Sequence, residues 1–222
     1  IPLGFPLSND PRPPMDNDAR PRGPPPCHKA LDEATAILAG DALMTQAFLV
    51  LTRDESLPGG PAARLAMLDD LAWAAGSRGM AGGQMMDLEA EGQEIDLTHL
   101  ESIHIHKTGA LIRASVRMGC RARPELARDR AERLVRFAKC LGLAFQIRDD
   151  ILDIEAPTDI LGKPHGKDLA QDKATYPALM GLEGARQAAA DLVTEALNSL
   201  APFDAQADPL RWIAAYINER DH

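Results

Sequence analysis

Asp149, Asp150 and Asp153 occupy positions i, i+1 and i+4 of the segment Phe145-Gln-Ile-Arg-Asp-Asp-Ile-Leu-Asp153. On a helix, Asp149 and Asp153 fall one turn apart on the same face, with Asp150 beside them. Like charges at this spacing repel. The helix must also bury Phe145, Ile147, Ile151 and Leu152, so the carboxylates border apolar surface, where an uncompensated charge is costly. A hard divalent cation offsets both effects, and Mg²⁺ typically binds through one or two carboxylates plus water and substrate phosphate. An isolated Asp-Asp-x-x-Asp is more simply a solvated acidic helix face. Its neighbours here argue otherwise.

Those neighbours are donors suited to diphosphate oxygens. Lys107 and Thr108 precede Gly109, Gln146 lies one turn before Asp150, Lys163 and Lys167 fall in a glycine-containing segment, and Lys173 stands before the next helical pattern. Ammonium and hydroxyl groups bind phosphate by charge-assisted hydrogen bonds. A carboxylate cluster together with this donor set points to a metal-bridged diphosphate.

Rigid elements must carry these groups, and the composition favours helices. Apolar residues make up 45% of the chain, mostly Ala and Leu, while aromatics are only 4%; Ala and Leu favour helix, whereas strands prefer β-branched and aromatic residues. The expected class is all-α. Residues 1–27 form a proline-rich segment, including Pro13-Pro14 and Pro24-Pro25-Pro26, which disfavours helix. Residues 28–222 form the helical domain. Its first block starts at His28 and is interrupted softly at Gly40; a turn follows at 57–61, and a second block spans about Ala62 to Glu91. Thr98, with Glu101 three residues on, predicts a capping box for a helix reaching about Cys120. A long helix after Pro124 carries the acidic segment and ends before Pro157, and closing helices are expected over Tyr176–Leu200 and Pro209–Glu219.

The net charge of −9 argues against nucleic acid or an anionic membrane as the main partner, since both reward a basic surface. Cys27, Cys120 and Cys140 are far apart and odd in number, as in a reducing, cytoplasmic setting rather than a disulfide framework. No apolar stretch is expected to reach the roughly 20 residues needed to span a bilayer, so no stable membrane insertion is expected, and no signal segment opens the chain.

From about Met15 to Leu182 the sequence resembles the trans-isoprenyl diphosphate synthases, particularly the bacterial farnesyl and geranylgeranyl diphosphate synthase type. The resemblance is carried by Cys27-His-Lys-Ala30, Gly40-Asp-Ala-Leu43, Gly83-Gln-Met-Met-Asp-Leu-Glu89, His106-Lys-Thr-Gly-Ala-Leu111, the segment from Phe145 to Asp153, Gly162-Lys163 and Lys173-Ala-Thr-Tyr-Pro177. It implies an antiparallel helix bundle around a deep central cavity, a homodimer, and two aspartate-rich motifs facing each other across the cavity mouth. The substrates it implies are isopentenyl diphosphate and an allylic diphosphate, joined head to tail into a C15 or C20 product. By position, Asp149, Asp150 and Asp153 form the second motif, with Asp149 the direct Mg²⁺ ligand, and three ions accompany bound diphosphate. Lys107, Thr108, Gln146, Lys163 and Lys173 would hold the allylic diphosphate; Gln84 and Asp87 would line the same cavity.

The first motif is only partly matched. Asp10 and Asp16 keep the spacing of the outer, metal-bridging aspartates, and Arg22 keeps the second arginine of the following Arg-Arg-Gly, but Pro11 and Pro21 replace the second Asp and the first Arg. The family's preceding helices, with a Gly-Lys-Arg segment for isopentenyl diphosphate, are not matched. The chain, opening on Ile1, therefore reads as the larger, C-terminal part of such an enzyme. The changed motif motivates one alternative, a weak or inactive synthase-like subunit that regulates an active partner. A class I terpene cyclase would share the ionisation chemistry, although Lys107-Thr108 and Lys173 to Pro177 speak against it. His104, His106 and His28 could ligate a transition metal, but His104 and His106 are two apart and point to different sides of a helix. A purely structural helical module leaves the donor set unexplained.

Overall fold

The computed structural model describes residues 27–155 and 174–220, and every regular element among them is helical. In chain order these are α1 (Cys27–Ala30), α2 (Glu33–Arg53), α3 (Gly60–Ala75), α4 (Met80–Glu89) and α5 (Leu97–His104), then a π turn (Ile105–Gly109) leading directly into α6 (Ala110–Arg121). After these come α7 (Arg128–Glu155), α8 (Tyr176–Met180), α9 (Leu182–Ser199), a 3₁₀ turn (Ala205–Ala207) and α10 (Asp208–Glu219). The all-α class expected from composition is the class observed.

Helix α7 is the axis of the core. Along its first half, Phe137, Cys140, Leu141 and Ala144 pack against Val193 and Ala196 of α9, Leu200, and Ala214 and Ile217 of α10. Further along, Ile147 and Ile151 meet Leu100 of α5, Tyr176 of α8, and Ala185 and Ala189 of α9. Alanines at 185, 189 and 196 let α9 lie close along α7, and the contact removes large apolar side chains from water at about 25 cal/mol per Å². The acidic segment thus extends from a helix fixed on several sides. Between α3 and α6 a smaller core joins Ala74, Ala110 and Ala114.

Several boundaries differ from the sequence expectation, each for a visible reason. Helix α2 runs through Gly40 without a break; its N-cap is Asp32, whose carboxylate accepts from the Thr35 N–H at 2.8 Å. The block expected over 62–91 divides between α3 and α4, because Gly76 turns to extended backbone and its N–H closes α3 on Ala72. The N-cap of α5 is Asp96, accepting from the His99 N–H at 2.8 Å, rather than Thr98. The expected capping partner Glu101 instead accepts from the hydroxyl of Tyr176. The closing segment from Tyr176 breaks at Gly181, whose φ of +79° suits glycine and ends α8.

Helix α2 also corrects the expectation about membrane-length segments. Its 21 residues, with a mean hydropathy of 1.6 in the most apolar window, are long and apolar enough to cross a bilayer by length and composition. Only Ala36 of this helix is buried, while Leu38, Leu43, Met44, Leu49 and Val50 are exposed.

Candidate active site

The π turn between α5 and α6 presents Lys107 and Thr108, and glycines bring helices against it from two sides. A Cβ on Gly83 of α4 would lie 2.1 Å from the Lys107 backbone nitrogen, and one on Gly142 of α7 would lie 3.3 Å from the Gly109 Cα. Only glycine at 83 permits so close a backbone approach. A π turn places an extra residue in one helical turn and recurs at functional sites. One turn beyond Gly83, Asp87 accepts a hydrogen bond from Lys107 Nζ at 2.8 Å. Asp87 and Lys107, which the resemblance assigns to one cavity without pairing them, are direct neighbours, with Gln84 half-buried on the same helix as Asp87.

On α7 the three aspartates have different surroundings. Asp149 is the exposed one, its side chain 51% accessible, with Arg220 Nη2 3.4 Å from its Oδ1. Asp150 is buried; its Oδ2 accepts from the Tyr176 backbone N–H at 2.9 Å and lies 3.5 Å from His104 Nε2. Asp153 is almost completely buried, at 1%. A shared helix face thus does not mean a shared environment. Gln146 is half-buried one turn after Gly142, on the α7 stretch that approaches the π turn.

Arg220, absent from the sequence reading, borders this cluster from the end of α10. Its guanidinium sits 4.1 Å above the Phe145 ring and donates to the Phe145 carbonyl at 3.2 Å, while Arg148 donates twice to the Arg220 carbonyl, at 3.2 and 2.7 Å. Burial pulls the Arg220 guanidinium below its ordinary pKa, with Asp149 opposing that effect. Tyr176 and Glu101 were likewise missed as neighbours of the cluster. Their contacts join residues 75 positions apart, a separation that helical periodicity does not encode.

His106 Nδ1 contacts the Ser102 carbonyl at 2.7 Å, and His104 stacks on Tyr176. Among the described residues no group of three or more His, Cys, Asp or Glu is arranged to hold a metal ion. Asp149 offers an accessible hard oxygen donor, and Mg²⁺ typically takes one or two carboxylates together with water and phosphate oxygens. Asp10, Asp16, Arg22, Lys163, Lys167 and Lys173 lie outside the described residues. A hollow of about 950 Å³ lies between α3, α6 and the start of α7 and is lined by Ala62, Ala66, Arg117, Arg121 and Val135 among others. At 1.5 Å per residue along α7, Val135 is about 21 Å from Asp149.

Residues 15–208 match the polyprenyl synthetase family. The chain is 46% identical to the farnesyl diphosphate synthase of Escherichia coli over 220 residues, covering 98% of this chain and 74% of that protein. It is also 46% identical to the Geobacillus stearothermophilus farnesyl diphosphate synthase, covering 98% of this chain and 73% of that protein. A FPP/GFPP synthase structure from Zymomonas mobilis superposes with a TM-score of 0.79 at 39% identity, over 93% of this chain and 68% of that one. A geranyltransferase from Helicobacter pylori, solved with magnesium and isoprenyl diphosphate, gives 0.78 at 33% identity, over 93% and 66%. With its sequence motifs, its all-α architecture and a long helix carrying the acidic segment packed against a lysine-bearing π turn, the chain belongs to the polyprenyl synthetase family.

Proposed function

We propose that the protein is a Mg²⁺-dependent prenyltransferase that condenses isopentenyl diphosphate with an allylic diphosphate, head to tail, giving a C15 or C20 product. The observation that carries this reading is the Gly83–Lys107 approach, which joins α4, with Asp87, to the π turn bearing Lys107 and Thr108. Lys107, Thr108 and Gln146, with Lys163 and Lys173, hold the allylic diphosphate, and Gln84 and Asp87 line the same cavity. Asp149 is the direct metal ligand in a set that includes Asp150, Asp153, Asp10 and Asp16, and Arg22 contributes a cation from the first motif. When bound, Mg²⁺, in three ions, supplies Lewis-acid stabilisation of charge on the departing diphosphate.

The residues of the chain do the positioning. The Lys107 ammonium and the Thr108 hydroxyl stabilise negative charge where it develops, so the allylic C–O bond ionises. The double bond of isopentenyl diphosphate then attacks the allylic cation, forming the new C–C bond, and loss of a proton from the resulting cation to the released diphosphate restores a double bond. Helical walls exclude water from the cation. The test is a steady-state assay of the purified protein with both diphosphates, with products resolved by chain length. A longer linear prenyl diphosphate that requires Mg²⁺ is the expected result; absence of turnover, or a cyclic product, sinks the reading.

The same proposal includes a cytoplasmic homodimer, with residues 1–27 as a segment carrying the first motif and 28–222 as the helical domain. A large contiguous exposed apolar surface marks an interaction site, and α2 carries exposed apolar residues: Leu38 and Leu49, three turns apart, share a face. Sedimentation should give a dimer for the native chain and a monomer for the double variant Leu38→Glu, Leu49→Glu. A native monomer rejects the dimer.

A further inference from the structure

Asp150 sits where three stretches of chain meet. Its Oδ2 takes the N–H of Tyr176, the first residue of α8, at 2.9 Å. The same oxygen is 3.5 Å from Nε2 of His104, the last residue of α5 and the one immediately before the π turn. His104 is 8% exposed, and neither of its ring nitrogens has a hydrogen-bond partner among the described residues. A buried donor without an acceptor is costly. Asp150 is the acceptor within reach, and a shift of well under an ångström would close the bond.

The histidine is itself held. Its ring stacks on that of Tyr176, with centroids 5.8 Å apart and planes 13° from parallel. Tyr176 is 2% exposed, and its hydroxyl donates to Glu101 Oε1 at 3.0 Å. Burial, and then the Glu101 carboxylate, push the phenol pKa up, so the hydroxyl remains a donor. Glu101 stands one turn before His104 on α5, so helix, ring and carboxylate form a closed circuit through α5, α8 and α7.

We propose that His104, Tyr176 and Glu101 are positioning residues that fix the Asp150 carboxylate and thereby hold the acidic face of α7 in register with the π turn presenting Lys107 and Thr108. Asp150 Oδ2 then serves contacts between segments of the chain, while Asp149 remains the exposed carboxylate of the pair. The kinetic consequence rests on the prenyl-transfer reading; the structural consequence does not. Small misplacements of aligned groups cost up to about 100-fold in rate, so loosening one such contact is expected to cost about tenfold.

The test compares His104→Leu with His104→Gln in the full chain. Both remove the stacked ring, but only Gln returns an N–H near the position of Nε2. His104→Leu should lower kcat about tenfold, and His104→Gln should recover to within about threefold of native at a similar thermal midpoint. Tyr176→Phe keeps the stack and removes the Glu101 bond; it should lower kcat about threefold, and it serves if the histidine variants fold poorly. Amide exchange in EDTA without substrate supplies a readout free of metal and turnover. The Tyr176 N–H should exchange about tenfold faster in His104→Leu, and near the native rate in His104→Gln. Equal behaviour of the Leu and Gln variants, or unchanged Tyr176 exchange in His104→Leu, overturns the proposal. If the native chain shows no turnover, the functional reading fails while the exchange comparison still decides the positioning role.

Discussion

Asp149→Ala is expected to lower kcat by about 10³-fold while changing stability by less than about 1 kcal/mol. The two parts of this result have separate causes. Asp149 is half exposed, and its contact with Arg220 is a single 3.4 Å pair, of a kind that contributes little in water. Arg220 keeps its stacking on Phe145 and its bond to the Phe145 carbonyl without that partner, so α10 stays docked. Loss of the accessible carboxylate, by contrast, removes the group proposed to recruit Mg²⁺, and with it stabilisation that acts on the departing diphosphate. Asp149→Asn should fall nearly as far, since the amide keeps shape and hydrogen bonding but not charge. Measuring kcat against Mg²⁺ concentration, together with thermal midpoints, separates the effects. Near-native turnover in Asp149→Ala would remove this residue from the metal set.

The extent to which the sequence discloses this site depends on the range over which each feature is determined. The long helix α7 and its acidic segment are legible because apolar spacing and the absence of breakers act within a few turns. The start of α5 is not, because Asp96 and Thr98 are both good caps two residues apart, and Thr98 alone has a Glu three residues on. What distinguishes them is Tyr176, which engages Glu101 from 75 residues away. The π turn is hidden for another reason: one additional residue in a turn barely alters the pattern of apolar positions between Leu97 and Arg121. Burial differences within the aspartate cluster are tertiary too. Spacing puts Asp149 and Asp153 on one face, but the packing of neighbouring elements leaves the first half exposed and the second covered.

Gly83→Ala should damage the site while leaving every charged or hydrogen-bonding side chain in place. The added methyl would lie 2.1 Å from the Lys107 nitrogen and 2.6 Å from the His106 carbonyl carbon and the Lys107 Cα. All three are backbone atoms, so no side-chain rotation relieves the overlap; α4 or the π turn must move. Overpacking of this kind costs about 1–3 kcal/mol. The same displacement stretches the 2.8 Å bond between Lys107 and Asp87 and shifts the ammonium proposed to face the leaving group, so kcat should fall by about 10²-fold. Gly119→Ala provides the control, since a Cβ there meets nothing within 4 Å inside α6; helix propensity alone predicts a gain of about 0.5–1 kcal/mol with unchanged kcat. Thermal melts and steady-state kinetics on both variants distinguish a local displacement from a general cost of adding a methyl group. Native kcat in Gly83→Ala would show that the position of the π turn, and hence of Lys107, does not limit the reaction.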